Sequence, residues 1–74
     1  MKINSAFGRK IRNCREENNL TIEQLAELCN MSDRCISDIE LGKSDPKIST
    51  VLSICYNLNI NLGELNSFYS REND

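Results

Sequence analysis

Apolar residues return along this chain every three or four positions, the period of a helix that buries one face. Phe7, Ile11 and Cys14 mark a first helix that starts at Asn4 or Ser5, either of which can cap it, and runs to about Asn18. Ile22, Leu25, Ala26 and Cys29 fall at i, i+3, i+4 and i+7 and mark a second. In the third, Ile36 and Ile39 face one way while Arg34, Ser37, Asp38 and Leu41 share the opposite side, so one flank is buried and the other offers a polar stripe. Val51, Ile54, Cys55 and Leu58 repeat the spacing of the second helix and predict a fourth over Ile48 to Leu58. Leu62, Leu65, Phe68 and Tyr69 predict a fifth, with more apolar residues than one core-facing stripe requires.

The residues between these stripes punctuate them as separate helices. Thr21 with Gln24 forms a capping box, and Leu20 with Leu25 supplies the hydrophobic staple that fixes the entry angle. Ser32 is a second cap, with Met31 and Ile36 as its staple. Asn30 stands where the second helix must stop, because Asn tolerates the left-handed conformation better than any residue but Gly. Gly42 ends the third helix, Pro46 prevents it from resuming, and Asn59 terminates the fourth. Asn61 caps the fifth, with Glu64 at its third position and an Ile60 to Leu65 staple. Ala26 provides the small residue where the second helix must let the third come close.

Seventy-four residues with short connections predict one small all-α domain over residues 1–69, followed by a polar tail over 70–74. A domain of this size buries only about 60% of its unfolded surface, so dimerisation or idealised helices are expected to help it. No apolar run is long enough to span a membrane and no signal-peptide pattern opens the chain, which predicts a cytoplasmic protein. The four cysteines do not read as a disulfide scaffold. Cys14, Cys29 and Cys55 fall at core positions and Cys35 at the edge of a stripe, where a reduced thiol acts as a small hydrophobe. None belongs to a C-x-x-C pair, and the chain has no His to complete a mixed zinc site. The net charge is −2, yet the signs balance up to Lys47, and the acidity collects in Glu64, Glu72 and Asp74 against Arg71. Without His, a Gly-rich phosphate loop or a base beside any cysteine, the sequence predicts no enzyme and calls for no cofactor, metal or small-molecule effector.

Ala26, a turn residue four positions later, Ile36 and Ile39, and the closing string Ile39-Glu40-Leu41-Gly42-Lys43 together resemble the Cro and phage-repressor type helix-turn-helix family, of the xenobiotic-response-element type. The likeness runs from about Phe7 to Leu65 and takes in the Pro46 loop and the Asn61-Leu62-Gly63-Glu64-Leu65 segment. It implies a compact five-helix bundle, the lambda-repressor-like DNA-binding domain. It also implies an ion pair between Arg15 and Glu40 that locks the first helix to the third, against the plainer reading of two solvated charges. By the same correspondence Asp33, Arg34, Ser37 and Asp38 take the base-reading positions. Tyr56, Leu62, Phe68 and Tyr69 fall at the end of the domain that carries the family's dimer contact.

The implied function is a sequence-specific transcriptional regulator, a repressor by resemblance, that sets its third helix in the major groove of double-stranded DNA as a homodimer on a two-fold symmetric site. Arg34 would fork onto guanine, an Asp would accept from cytosine, and Ser37 would serve a base or a phosphate. Phosphate contacts would come from the N–H groups around Thr21 and Ile22 and from Lys43, Lys47 and Arg12. Two features have structural readings as well: Asp33 favours the helix dipole from the first turn, and Arg34 and Asp38, four apart, suit an ion pair. Acidic residues on this stripe favour a second function, a protein-interaction module such as an antitoxin-like partner on the same fold. The cysteine placement makes a direct prediction. Alkylation of the unreduced, unfolded protein labels all four thiols by mass spectrometry; a loss of two protons per pair would mean disulfides instead.

Overall fold

Asparagine makes three of the helix ends. In the computed structural model, which describes residues 2–3, 5–63 and 69–70, α1 spans Ser5–Glu17, α2 Ile22–Cys29, α3 Asp33–Glu40 and α4 Ile48–Leu58. Asn19, Asn30 and Asn59 follow α1, α2 and α4 with left-handed backbone, at φ of 57°, 56° and 57°. The apolar residue after each reaches back into the last turn: Leu20 N–H to Arg15 O at 3.0 Å, Met31 N–H to Ala26 O at 2.8 Å, and Ile60 N–H to Cys55 O at 2.9 Å. This is the Schellman closure, which satisfies orphan carbonyls and turns an apolar side chain back onto the helix. Ile60 is buried, and Leu20 and Met31 pack against the core. Gly42, at φ 73°, closes α3 in the same way, with Lys43 N–H on Asp38 O at 2.8 Å.

The starts are equally local. Thr21 Oγ1 accepts from Gln24 N–H at 3.0 Å while Gln24 Oε1 accepts from Thr21 N–H at 2.8 Å, and Ser32 Oγ accepts from Cys35 N–H at 3.1 Å. With both ends of α2 fixed by neighbouring residues, α3 leaves it in one direction only. The stripes then meet: Phe7, Ile11, Leu25, Ile36, Val51, Ile54 and Cys55 are sealed from solvent, with Ala26, Cys29, Ile39, Leu58 and Ile60 around them. α2 packs on α3, α1 lies across α3, and both α1 and α2 rest on α4. All four cysteines are free thiols, Cys29 and Cys55 buried and Cys14 and Cys35 half-buried.

The expected fifth helix is the departure. Among the described residues there are four helices, and beyond α4 only a single tight turn at Leu62–Gly63. The Asn61 Oδ1 accepts from Gly63 N–H at 2.8 Å, two residues on, a local bond that competes with helix formation. Tyr69, expected in that helix, belongs instead to a two-residue strand β2 (Tyr69–Ser70). It pairs antiparallel with β1 (Lys2–Ile3), Lys2 opposite Ser70 and Ile3 opposite Tyr69. Backbone groups at the chain's two ends thus satisfy each other across the fold, a partnership with no local signal in the sequence. Glu64, Leu65 and Phe68, also assigned to the fifth helix, lie outside the described residues.

Gly8 is buried inside α1, at the crossing with α3. A Cβ built there would meet the carbonyl oxygen of Ile39 and lie 2.6 Å from that of Glu40. Backbone cannot give way as a side chain can, so the missing methyl is what lets α1 approach the end of α3. Helix propensity alone favours Ala over Gly by about 1 kcal/mol, whereas forcing extra volume into such a contact costs about 1 to 3 kcal/mol. Gly8→Ala is therefore expected to destabilise the domain by up to about 2 kcal/mol in chemical denaturation. Stabilisation by the propensity difference would show that the crossing is looser than described.

Candidate nucleic-acid interface

α3 is held from beneath. Ile36 and Ile39 are buried, and Ala26 brings α2 close against them. At the far end Glu40 turns inward, where the Arg15 guanidinium meets it with two prongs: Nε donates to Oε2 at 2.7 Å and Nη2 to Oε1 at 3.1 Å. The remaining terminal nitrogen, Nη1, donates to Leu20 O at 2.9 Å, at the end of α1. The side chains are only 11% and 6% exposed, so this pair sits within the fold and not on its surface. Hydrogen bonding to Glu40 binds the guanidinium proton more tightly; burial opposes this, and the Glu40 and Glu16 charges reinforce it. A carboxylate in the last turn of a helix is disfavoured by the helix dipole, and Arg15 supplies the compensating charge.

With its lower flank anchored, α3 presents the other. Asp33, Arg34, Ser37 and Asp38 line one open hollow of about 530 Å³ together with Ile22, Glu23, Leu41 and Lys43. The Arg34 side chain is 90% exposed, and its Nε lies 3.8 Å from Asp38 Oδ2 across one turn. At that separation and exposure the pair contributes only a few tenths of a kcal/mol and leaves the guanidinium free to engage something else. Among the described residues Asp33 makes no ion pair. All four residues expected to read bases are thus gathered on one surface, with Ile22 and Lys43 beside them.

The other expected phosphate contacts are placed differently. Thr21 lies at the start of α2, but its N–H and its hydroxyl oxygen are both engaged by Gln24, so the N–H groups left without a partner at this end are those of Ile22 and Glu23. Lys47 caps the start of α4 through its backbone and is exposed, and Arg12 is exposed on α1, 3.6 Å from Glu16; neither lines the hollow. Glu23 and Leu41 line it without having been singled out as site residues. The signal for Glu23 was its place next to Ile22 at the start of α2, and for Leu41 its place on the polar side of α3, where it is 58% exposed. Glu23, Asp33 and Asp38 against Arg34 and Lys43 leave the hollow one charge negative.

A second surface lies on α4 and the turn after it. Tyr56 is 83% exposed, and with Leu52 and Leu62 it opens an apolar hollow of about 480 Å³ floored by Cys55 and Ile60. Of the expected dimer residues, this brings Tyr56 and Leu62 together; Phe68 lies outside the described residues, and of Tyr69 only the backbone in β2 is described. The Cys29 thiol is elsewhere, in the core, where burial raises its pKa against hydrogen bonds with Ser53 and Asn57. Among the described residues no three His, Cys, Asp or Glu side chains cluster as a metal site would need, and no helix is long and apolar enough to cross a membrane.

Residues 8–70 match the model of the helix-turn-helix domain family. The chain belongs to that family. Its helix-turn-helix is α2, the Asn30-Met31-Ser32 turn and α3. The fold is similar to the crystal structure of the clp gene regulator ClgR from Corynebacterium glutamicum, with TM-score 0.77 and 24% identity over 85% of this chain and 67% of that one. It is also similar to the restriction-modification controller protein C.AhdI from Aeromonas hydrophila, with TM-score 0.74 and 27% identity over 80% of this chain and 89% of that one. ComR from Streptococcus suis matches 96% of this chain at 32% identity and TM-score 0.73, but the match spans only 23% of ComR. Among curated proteins no sequence match is found.

The Arg15 and Glu40 pair carries a measurable cost. Arg15→Ala leaves an enclosed carboxylate without its partner and is expected to cost about 3 kcal/mol of stability. The double variant Arg15→Met/Glu40→Leu, which removes both charges and keeps the volume, is expected to recover most of it in the same denaturation experiment. A single variant as stable as the parent would reduce the pair to a surface contact.

Proposed function

We propose that this chain is a sequence-specific DNA-binding transcriptional regulator that sets α3 in the major groove and binds as a homodimer to a two-fold symmetric site. The observation that carries this reading is the polar ridge of α3, exposed at Asp33 and Arg34 and half-buried at Ser37 and Asp38, standing on buried isoleucines and an enclosed ion pair. A major groove admits one helix, and a helix reads it only if its outward side chains are polar and its orientation is fixed from behind. Asp33, Arg34, Ser37 and Asp38 are the base-facing group. Lys43 beside them, Lys47 and Arg12 further out, and the backbone N–H groups of Ile22 and Glu23 at the start of α2, next to the engaged Thr21, are the phosphate-facing group. Membership of the helix-turn-helix family and likeness to a restriction-modification controller support a regulatory role. The exposed Tyr56 and Leu62 are the surface on which a second copy is proposed to dock. Repression by occupying the site is the proposed action.

One observation favours a second reading. Three carboxylates against two cations line the hollow, and phosphate approach is opposed by each carboxylate. A protein-interaction module, with a basic partner lying on α3, would meet the same surface favourably.

Salt separates the two, because counterion release makes the logarithm of DNA affinity fall linearly with the logarithm of salt. Binding of selected duplexes is expected to show that slope. Arg34→Ala should relax the preferred sequence by about 1 to 3 kcal/mol of discrimination, whereas Lys43→Ala should weaken all sequences alike and reduce the slope by about 1. Selection from random duplex DNA that enriches no sequence would overturn the reading in favour of the protein module.

A further inference from the structure

We infer that Asp38 is a positioning residue, which sets the Arg34 guanidinium for guanine instead of reading a base itself. This rests on the DNA reading above and changes the part given to one of its four residues. The two side chains stand four apart on α3, so their carboxylate and guanidinium share one column of the helix surface. They do not stand equally high: the Arg34 side chain is 90% exposed and that of Asp38 only 35%. Asp is also much the shorter side chain, so in a groove filled by α3 the guanidinium meets the base edges first. Asp38 lies behind it.

The Arg34 Nε lies 3.8 Å from Asp38 Oδ2, an ion-pair separation longer than a hydrogen bond, and among the described residues no nitrogen of the guanidinium has a hydrogen-bond partner, so its two terminal nitrogens are open. Those terminal nitrogens form the fork that matches the O6 and N7 acceptors of guanine. In water the pair is loose and nearly worthless; in a groove from which water is displaced the same charges attract more strongly, and the arginine loses less freedom on binding. The carboxylate has a second effect of opposite sign, because it repels phosphate wherever the protein sits. Asp38 therefore trades general affinity for selectivity. Among the described residues neither Ser37 nor Asp33 has a comparable contact with Arg34.

The test uses the full chain and duplexes taken from selection on random DNA. Affinities are measured for the selected duplex, for versions with each guanine replaced by adenine, and for a scrambled duplex. The parent protein, Asp38→Ala, Asp38→Asn, Arg34→Ala and the double variant Arg34→Ala/Asp38→Ala are compared, with folding of each checked by circular dichroism. Arg34→Ala is expected to abolish about a tenfold preference at one guanine of each half-site. Asp38→Ala should lower that same preference severalfold while tightening binding to the scrambled duplex, and Asp38→Asn, which keeps an acceptor without the charge, should fall between. In the double variant the loss of Asp38 should change nothing further at that guanine. The inference is overturned if Asp38→Ala tightens all duplexes equally, if it alters preference at a base that Arg34 does not govern, or if its effect on the guanine preference persists without Arg34. Absence of any duplex binding by the parent would overturn the DNA reading itself, whereas guanine selectivity indifferent to Asp38 would leave that reading standing.

Discussion

The enclosed fork between Arg15 and Glu40 is the contact on which the arrangement of this domain turns. One guanidinium bonds the last residue of α3 with two nitrogens and the carbonyl of Leu20 with the third, so α1, its exit and α3 are tied at one point. Removing two charges from water is expensive, and an apolar pair of equal volume would hold the helices about as well. What the ion pair adds is direction. Its two-pronged geometry tolerates little sliding of α3, and the fully buried Ile36 resists rotation about the helix axis.

Gly8 completes that arrangement from the other side. The fork pulls α1 toward the end of α3, and only the absence of a Cβ at Gly8 allows the backbones to come together there. Attraction and close approach are separate requirements met by residues about two turns apart on α1. The result is a short helix whose exposed ridge is rigid although little of its own length is buried.

That ridge carries an electrostatic tension. A surface meant for a polyanion is ordinarily basic, yet the hollow along α3 is one charge negative. Electrostatics of this kind lowers affinity for DNA at large more than it lowers discrimination among sequences, since phosphate contacts position a protein and base contacts specify. Carboxylates near the groove also reject base edges that offer only acceptors. Weak general binding and sharp preference are compatible with the same residues.

Local chemistry determined most of the helices. The capping box at Thr21, the cap at Ser32 and the left-handed stops at Asn30 and Asn59 depend on bonds between near neighbours, and such bonds can be read from spacing alone; the start of α4, which has no side-chain cap, was legible from its apolar period. The polar side of α3 was equally legible, because a 3.6-residue period fixes which side chains share a flank. Tertiary structure alone decided the rest. Among the described residues a turn at Leu62–Gly63 stands where the fifth helix was expected to begin, and Tyr69 lies in a strand, since β1 offers its backbone partners from the opposite end of the chain. The need for a glycine at position 8 arises only where α3 crosses α1, and Glu23 joins the hollow only because α2 and α3 meet at one angle. Periodicity says which face of a helix is apolar, whereas what that face meets depends on segments far away in sequence, whose positions no local bond records.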